Sequence, residues 1–140
     1  MDILEHVDDD LKLLKEYVDK SPPKTNFVIS VPAFMFLWSD HDVFLEHKRR
    51  YTLKQLEQLV LASGLQLTRS SYYYGLLFPI VSLLRIAKNK FKTSKLAQSE
   101  LAQHNPLTNW TLRKICLLEL RFMRWNKLAG LTAFCLAVKK

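Results

Sequence analysis

The run Phe27-Val28-Ile29-Ser30-Val31, rich in β-branched residues and closed by Pro32, constrains the fold more than any other stretch of the chain. Proline lacks the backbone donor that a further ladder bond needs. A short apolar strand ending in proline therefore reads as a buried parallel strand whose chain leaves the sheet at its carboxyl end. Beyond it lies a loop dense in reactive side chains: Trp38, Asp40, His41, Asp42, His47, Lys48, Arg49, Arg50 and Tyr51. Ligands of open α/β sheets sit in the crevice beyond the carboxyl ends of the strands. The functional site is expected there.

The neighbouring segments fit an α/β chain. Residues 1–7 read as the tail of a strand. Asp8-Asp9-Asp10 opens a helix, its carboxylates suited to the cap and to the positive end of the dipole, with Leu11, Leu14 and Val18 on the apolar face and Leu13 widening it. Ser21-Pro22-Pro23-Lys24 ends that helix. A strand–helix–strand unit of this length implies a right-handed parallel crossover. Thr52 and Gln55 have the spacing of a capping box; Leu53, Leu56, Leu59 and Val60 repeat at helical spacing; Gly64 supplies a left-handed C-terminal residue. Leu65, Leu67 and on to Tyr73 read as a strand, Leu131 to Val138 as a closing one, and Tyr72-Tyr73-Tyr74 as strand-edge packing. Between those strands the pattern predicts a helix from Leu76 to Phe91 started by Pro79. A polar connection, Lys92 to Pro106, follows, then a helix from Asn109 to Trp125 with Leu112, Ile115, Cys116, Glu119, Leu120 and Met123 in register. An insert of roughly 50 residues far exceeds the usual connection, and long inserts usually carry function.

Within the loop, His41 and His47 are candidate general bases for an attacking hydroxyl or amine. Arg49 or Arg50 can clamp a carboxylate or phosphate in a two-point fork, with Trp38, Asp42 and Tyr51 completing a substrate-binding set. A purely structural reading stands beside this: one arginine pairs with Asp42 to fix the loop, and Tyr51 packs beneath it.

The order Val31-Pro32-Ala33, Leu37-Trp38-Ser39, His41-Asp42, then His47 and Arg49-Arg50-Tyr51-Thr52 resembles a branch of the class I S-adenosylmethionine-dependent methyltransferases, at their fifth strand and the substrate loop after it. Asp2-Ile3-Leu4-Glu5-His6-Val7-Asp8-Asp9 is similar to the same family's motif at the end of the fourth strand. The resemblance implies an α/β fold: the C-terminal part of a Rossmann-like methyltransferase sheet, with the end of the fourth strand, the fifth strand and the antiparallel last two strands. It makes 1–140 one partial domain, with 76–126 a basic helical insert between the last two strands. It also implies that the loop closes over a small-molecule or lipid-like methyl acceptor. Glu5 and His6 would lie at the edge of the S-adenosyl-L-methionine site. Some relatives bind a divalent cation through an E-x-x-E-H run at this place. Here the run is Asp2-x-x-Glu5-His6, whose shorter aspartate alters the geometry; no metal is expected, and Asp2, Glu5 and His6 are the candidate set.

The family's Gly-rich turn lets backbone approach the cofactor closely at a helix N-terminus. The glycines here are Gly64, Gly75 and Gly130, none in a G-x-G pattern, and Pro23-Lys24 stand where relatives carry a Pro-Gly-Gly type turn. The expectation is the C-terminal half of a methyltransferase that keeps the acceptor side, binds no cofactor alone and is inactive alone. It would self-associate through a sheet edge left exposed by the absent strands. A non-catalytic basic protein that binds a membrane surface or a partner is the alternative.

Charge separates the two halves of the chain. Residues 1–84 carry nine Lys/Arg against eleven Asp/Glu, and residues 85–140 carry twelve against two. The basic half (Arg85, Lys88, Lys90, Lys92, Lys95, Arg113, Lys114, Arg121, Arg124, Lys127) reads as a solvated face or, beside Trp110, Phe122 and Trp125, as a surface for anionic membrane. Nucleic acid is not expected, because no groove-reading motif or stacking platform accompanies the charge. Leu76 to Leu84 is about half of the ~20 residues needed to span a bilayer, and the first residues lack the basic-then-apolar pattern of a leader. Cys116 and Cys135 sit in apolar patterns and read as buried free thiols of a reducing compartment. The expected location is cytoplasmic, at most peripheral to a membrane.

Overall fold

A computed structural model describes residues 3–90 and 105–140, with the backbone alone for 88–90. The described residues form an α/β fold: one open sheet of three strands with helices packed on it. The strands are β1 (Asn26–Pro32), β2 (Leu65–Tyr73) and β3 (Thr132–Lys139), and the last lies between the other two, antiparallel to both. The helices are α1 (Asp10–Lys20), α2 (Asp40–Phe44), α3 (Leu53–Ala62), α4 (Phe78–Lys90) and α5 (Pro106–Phe122). The expected connection Lys92 to Pro106 falls almost wholly outside the described residues.

Burial alternates along β1 and β3, so helices cover one face of the sheet. Phe27, Ile29 and Val31 share that face with Ala133, Cys135 and Ala137, and all join Leu14, Val18, Leu56 and Val60 in one core. Small residues on the central strand let helices approach it closely. The Cys135 thiol lies in this core, and burial pushes its pKa up to about 12. Tyr72, expected at a strand edge, is instead buried and stacks on Phe34 with ring centroids 5.0 Å apart. A bulge explains how it gets there. The register shifts between Leu67 and Arg69, which puts Ser70 and Tyr72 opposite Cys135 and Ala133.

Two expectations need correction. Leu4–His6 is a single 3-10 turn rather than the tail of a strand, with Leu4 and Glu5 buried. The Lys48 amide donates to its Glu5 carbonyl at 2.7 Å, which ties the turn to the loop after β1. Among the described residues, then, no two strands pair in parallel and the strand–helix–strand unit expected from residues 1–7 to β1 does not form; β1 runs antiparallel to its neighbour β3, and β2 crosses over by way of α3 to β3's other edge. The apolar run invited the parallel reading because strands covered on both faces look the same in sequence. An isolated bridge between Ala33 and Tyr51 is parallel.

Local signals set the helix ends as their chemistry requires. Asp9 accepts the Lys12 amide at 2.9 Å, Thr52 and Gln55 form the reciprocal capping box, and Gly64 takes a φ of +89° after α3. Lys24 adopts the left-handed conformation (φ +66°) that favours glycine. No helix among the described residues is long and apolar enough to cross a membrane.

Leu56 is fully buried, whereas Leu61 on the same helix is exposed. Leu56→Ala is expected to cost about 2–5 kcal/mol in urea unfolding. Leu61→Ala should stay within about 0.5 kcal/mol. Equal effects would contradict this orientation of α3.

Candidate functional site

The chain leaves β1 at Pro32 and returns at Tyr51, where the Tyr51 amide donates to the Pro32 carbonyl at 2.9 Å and the Phe34 amide to the Tyr51 carbonyl at 3.0 Å. The loop between them is thus closed at its base. Phe34 enters it with φ at +58°, a conformation unfavourable for a side chain with a Cβ and held here by stacking on Tyr72.

Inside the loop, Asp42 gathers the polar groups. Arg50 grips it with two parallel bonds, Nε to Oδ1 at 2.8 Å and Nη2 to Oδ2 at 2.9 Å, with Asp42 fully buried and Arg50 nearly so. The Ser39 amide donates to Oδ2 at 2.8 Å and the Ser39 hydroxyl at 3.1 Å, which caps α2. His47 Nδ1 lies 2.9 Å from Oδ1. The third guanidinium nitrogen of Arg50, Nη1, donates to the Ala33 carbonyl at 3.1 Å and ties the pair to the end of β1. Burial alone would raise the Asp42 carboxyl, but hydrogen bonds from Arg50 and His47, with the Arg50 charge and the Ser39 amide, outweigh it and hold the pKa down to about 2.

Arg49 and Tyr51 face the other way, onto the start of α1. Arg49 reaches the Asp8 carbonyl at 2.7 Å and the Asp10 carboxylate at 3.3 Å. The Tyr51 hydroxyl donates to Asp10 at 2.7 Å, and burial together with that bond raises its pKa. Arg49, Arg50, Asp42 and Tyr51 therefore all make bonds within the protein, and the Asp42–Arg50 pair is the ion pair that the structural reading of the loop allowed for. Trp38 is half-buried just before α2. His41 begins that helix with Nδ1 buried and without a hydrogen-bond partner among the described residues.

A cleft of about 380 Å³ opens beyond the carboxyl end of β1. Glu5, His6, His47 and Arg50 line it on one side, and Val31, Pro32, Leu131 and Thr132 form its floor. Arg85 of α4 lines it too and donates to the Leu37 carbonyl at 2.6 Å, so the helical insert is pinned over the loop. The His6 and His47 rings meet edge to face, with centroids 4.7 Å apart. Glu5, His6 and His47 each offer a ligand atom, all within 4.8 Å of one another. Asp2, which with Glu5 and His6 makes up the candidate metal set, lies outside the described residues. Arg85 was read from sequence only as part of the basic insert, and the grouping of His47 with Glu5 and His6 was not foreseen. About 40 residues separate them, and no local pattern spans that distance.

A carboxylate on Nδ1 fixes an imidazole's orientation and leaves Nε2 for proton transfer or metal ligation. That is the chemistry this cleft can offer. Comparison with known protein families finds no family model that matches the chain, and no curated protein matches it.

Removing the Asp42 charge leaves a buried guanidinium uncompensated. Asp42→Asn is expected to lose about 3 kcal/mol of unfolding free energy at neutral pH. Because the folded pKa lies below the unfolded one, wild type keeps this contribution above about pH 4 and loses it as pH falls toward about 2, whereas the variant shows no such loss from this site. Urea titrations across that range check both. Superimposable curves would contradict the role given to Asp42.

Proposed function

We propose that this chain is the acceptor-binding part of a class I S-adenosylmethionine-dependent methyltransferase. The observation that carries the reading is the cleft at the carboxyl end of β1, where the loop bearing the family-like motif is folded back onto Glu5 and His6 of the other family-like motif. Two stretches that resemble successive parts of one family's site by sequence thus meet in space. The antiparallel pairing of β2 with β3 across the insert also suits that family's last two strands.

In such a reaction the acceptor's nucleophile attacks the sulfonium methyl in line. The protein contributes mostly positioning and exclusion of water. His47, oriented by Asp42 at Nδ1, is the better placed of the two candidate bases, because it lines the cleft and His41 does not; His41 is the second. Arg50 and Asp42 hold the loop in shape, and Arg49 and Tyr51 anchor it to α1. Glu5 and His6 mark where the methyl donor would approach. The residues of this chain include no Gly-rich turn to hold the donor.

A second reading, a basic surface that rests on anionic membrane, is favoured by the insert. Leu83, Leu84, Trp110, Leu118, Phe122 and Trp125 are all exposed on or beside α4 and α5, alongside Arg113, Lys114, Arg121 and Arg124. Apolar and cationic side chains shown together to solvent are what an anionic bilayer surface takes up. The two readings combine if the acceptor is lipid-like.

Two measurements test them. Calorimetry of the 140-residue chain with S-adenosylmethionine is expected to show no binding, and micromolar binding would refute the claim that the donor site lies outside these residues. A folded chimera in which a class I donor-binding half precedes the chain is expected to move labelled methyl into a lipid extract. A chimera that binds donor but labels nothing contradicts the acceptor reading. For the membrane surface, flotation with vesicles containing anionic lipid is expected to carry the chain upward, and raised salt or Trp110→Ala with Leu83→Ala to weaken this; sedimentation regardless of lipid charge contradicts it.

A further inference from the structure

We infer that a cavity between the start of α4 and the end of α5 binds an organic ammonium ion, a protonated amine on a small apolar body, with Glu119 as its anchor. The cavity holds about 450 Å³, within the range of small-molecule sites. Leu76, Phe78, Pro79, Phe122, Met123 and Leu128 give it apolar walls. It shares no lining residue with the cleft beyond β1, and the inference needs neither the acceptor reading nor the membrane reading.

Glu119 is the feature that selects the ligand. It is 4% exposed, on a helix whose neighbouring Leu118 and Leu120 are open to solvent. Its Oε1 accepts the Gly75 amide, while Oε2 is buried with no hydrogen-bond partner among the described residues. The carboxyl stands at the cavity wall. A Cβ built on Gly75 would lie 2.5 Å from Asn126 Nδ2, 3.0 Å from the Ala129 carbonyl and 3.3 Å from Glu119 Oε1, and all four residues line the cavity. Asn126 is already paired: it donates to the Ala129 carbonyl at 2.9 Å and accepts the Leu128 amide at 3.2 Å. Among the polar side chains of the described wall, Oε2 is the acceptor left with capacity to spare.

A buried carboxylate oxygen without a partner is costly, and a cation that hydrogen-bonds to it offsets that cost. A protonated amine supplies both the charge and the donor. An anion would be repelled, and a metal ion would find one carboxylate and no imidazole or thiolate in the described wall. The cations of the insert are directed elsewhere. Arg124 lies 3.9 Å over the Trp125 ring, and Lys127 reaches Ser70 on β2 and Glu57 on α3. No lysine or arginine lines the cavity among the described residues. Phe78 and Phe122 offer aromatic surface both to the cation and to its apolar body.

The test uses the 140-residue chain and three probes of similar shape: 2-phenylethylammonium, 2-phenylethanol and phenylacetate. Calorimetry at neutral pH is expected to show the ammonium binding at one site per chain, about tenfold or more tighter than the alcohol, and the carboxylate not binding. Amide resonances of Gly75 and Ala129 should shift on adding the ammonium, while those of His6 and His47 in the cleft should not. Glu119→Gln, which keeps an oxygen for the Gly75 amide, should weaken the ammonium about tenfold or more and leave the alcohol unchanged. If that variant does not fold, the probe series and the resonance shifts of the wild-type chain decide. Equal binding of ammonium and alcohol overturns the site, as does no ammonium binding at millimolar concentration, shifts that fall in the cleft instead, or a folded Glu119→Gln chain that binds the ammonium like wild type. Such a failure would leave the acceptor and membrane readings standing.

Discussion

The buried pair of Asp42 and Arg50 is the interaction on which the rest of the loop depends. Each partner alone would be a charge taken out of water at a cost of several kcal/mol, so neither stays buried without the other. Together they occupy each other's hydrogen-bonding capacity in a fork-to-fork contact. Their spare atoms then organise the surroundings: Asp42 caps α2 through Ser39 and orients His47, and Arg50 fastens the assembly to the Ala33 carbonyl. A buried pair of this kind contributes little net stability over a well-packed apolar pair. What it fixes here is one loop geometry among many.

From that geometry the cleft follows. The loop is closed at its base by two backbone bonds to Tyr51 and laid against the start of α1 by Lys48, Arg49 and Tyr51. Residues from the chain's first turn thereby come to face residues from its middle. The insert supplies a wall through Arg85, which joins the basic, apolar-faced helices to the same site. The cleft is thus shared by the first 3-10 turn, the end of β1, the loop after it, the start of β3 and α4.

Much of this was legible in the sequence, for identifiable reasons. The capping box at Thr52 and Gln55, the left-handed Gly64 and the alternation of β3 are local signals, and local signals survive folding. The cleft beyond β1 lies where the polar loop after Pro32 begins, a place that the strand-ending proline marks in the sequence. The ion pair of Asp42 was one of two open readings of the loop, and deciding between them needed the partner's direction, which sequence does not carry. The strand expected over residues 1–7 and the direction of β1 relative to its neighbour depend on tertiary pairing. So does the burial of Tyr72, which a one-residue bulge moved to the covered face. The edge-to-face contact of His6 with His47 has no local sequence signature, because about 40 residues separate the two rings.

The most direct test of the account is native-state hydrogen exchange on the loop. If Asp42 and Arg50 lock it, the amides of Phe34, His47, Lys48 and Tyr51, each bonded to a backbone carbonyl in the structure, should exchange only with global unfolding, as core amides of β3 do. Exchange of these amides at the rate of an open surface loop, while β3 stays protected, would contradict it.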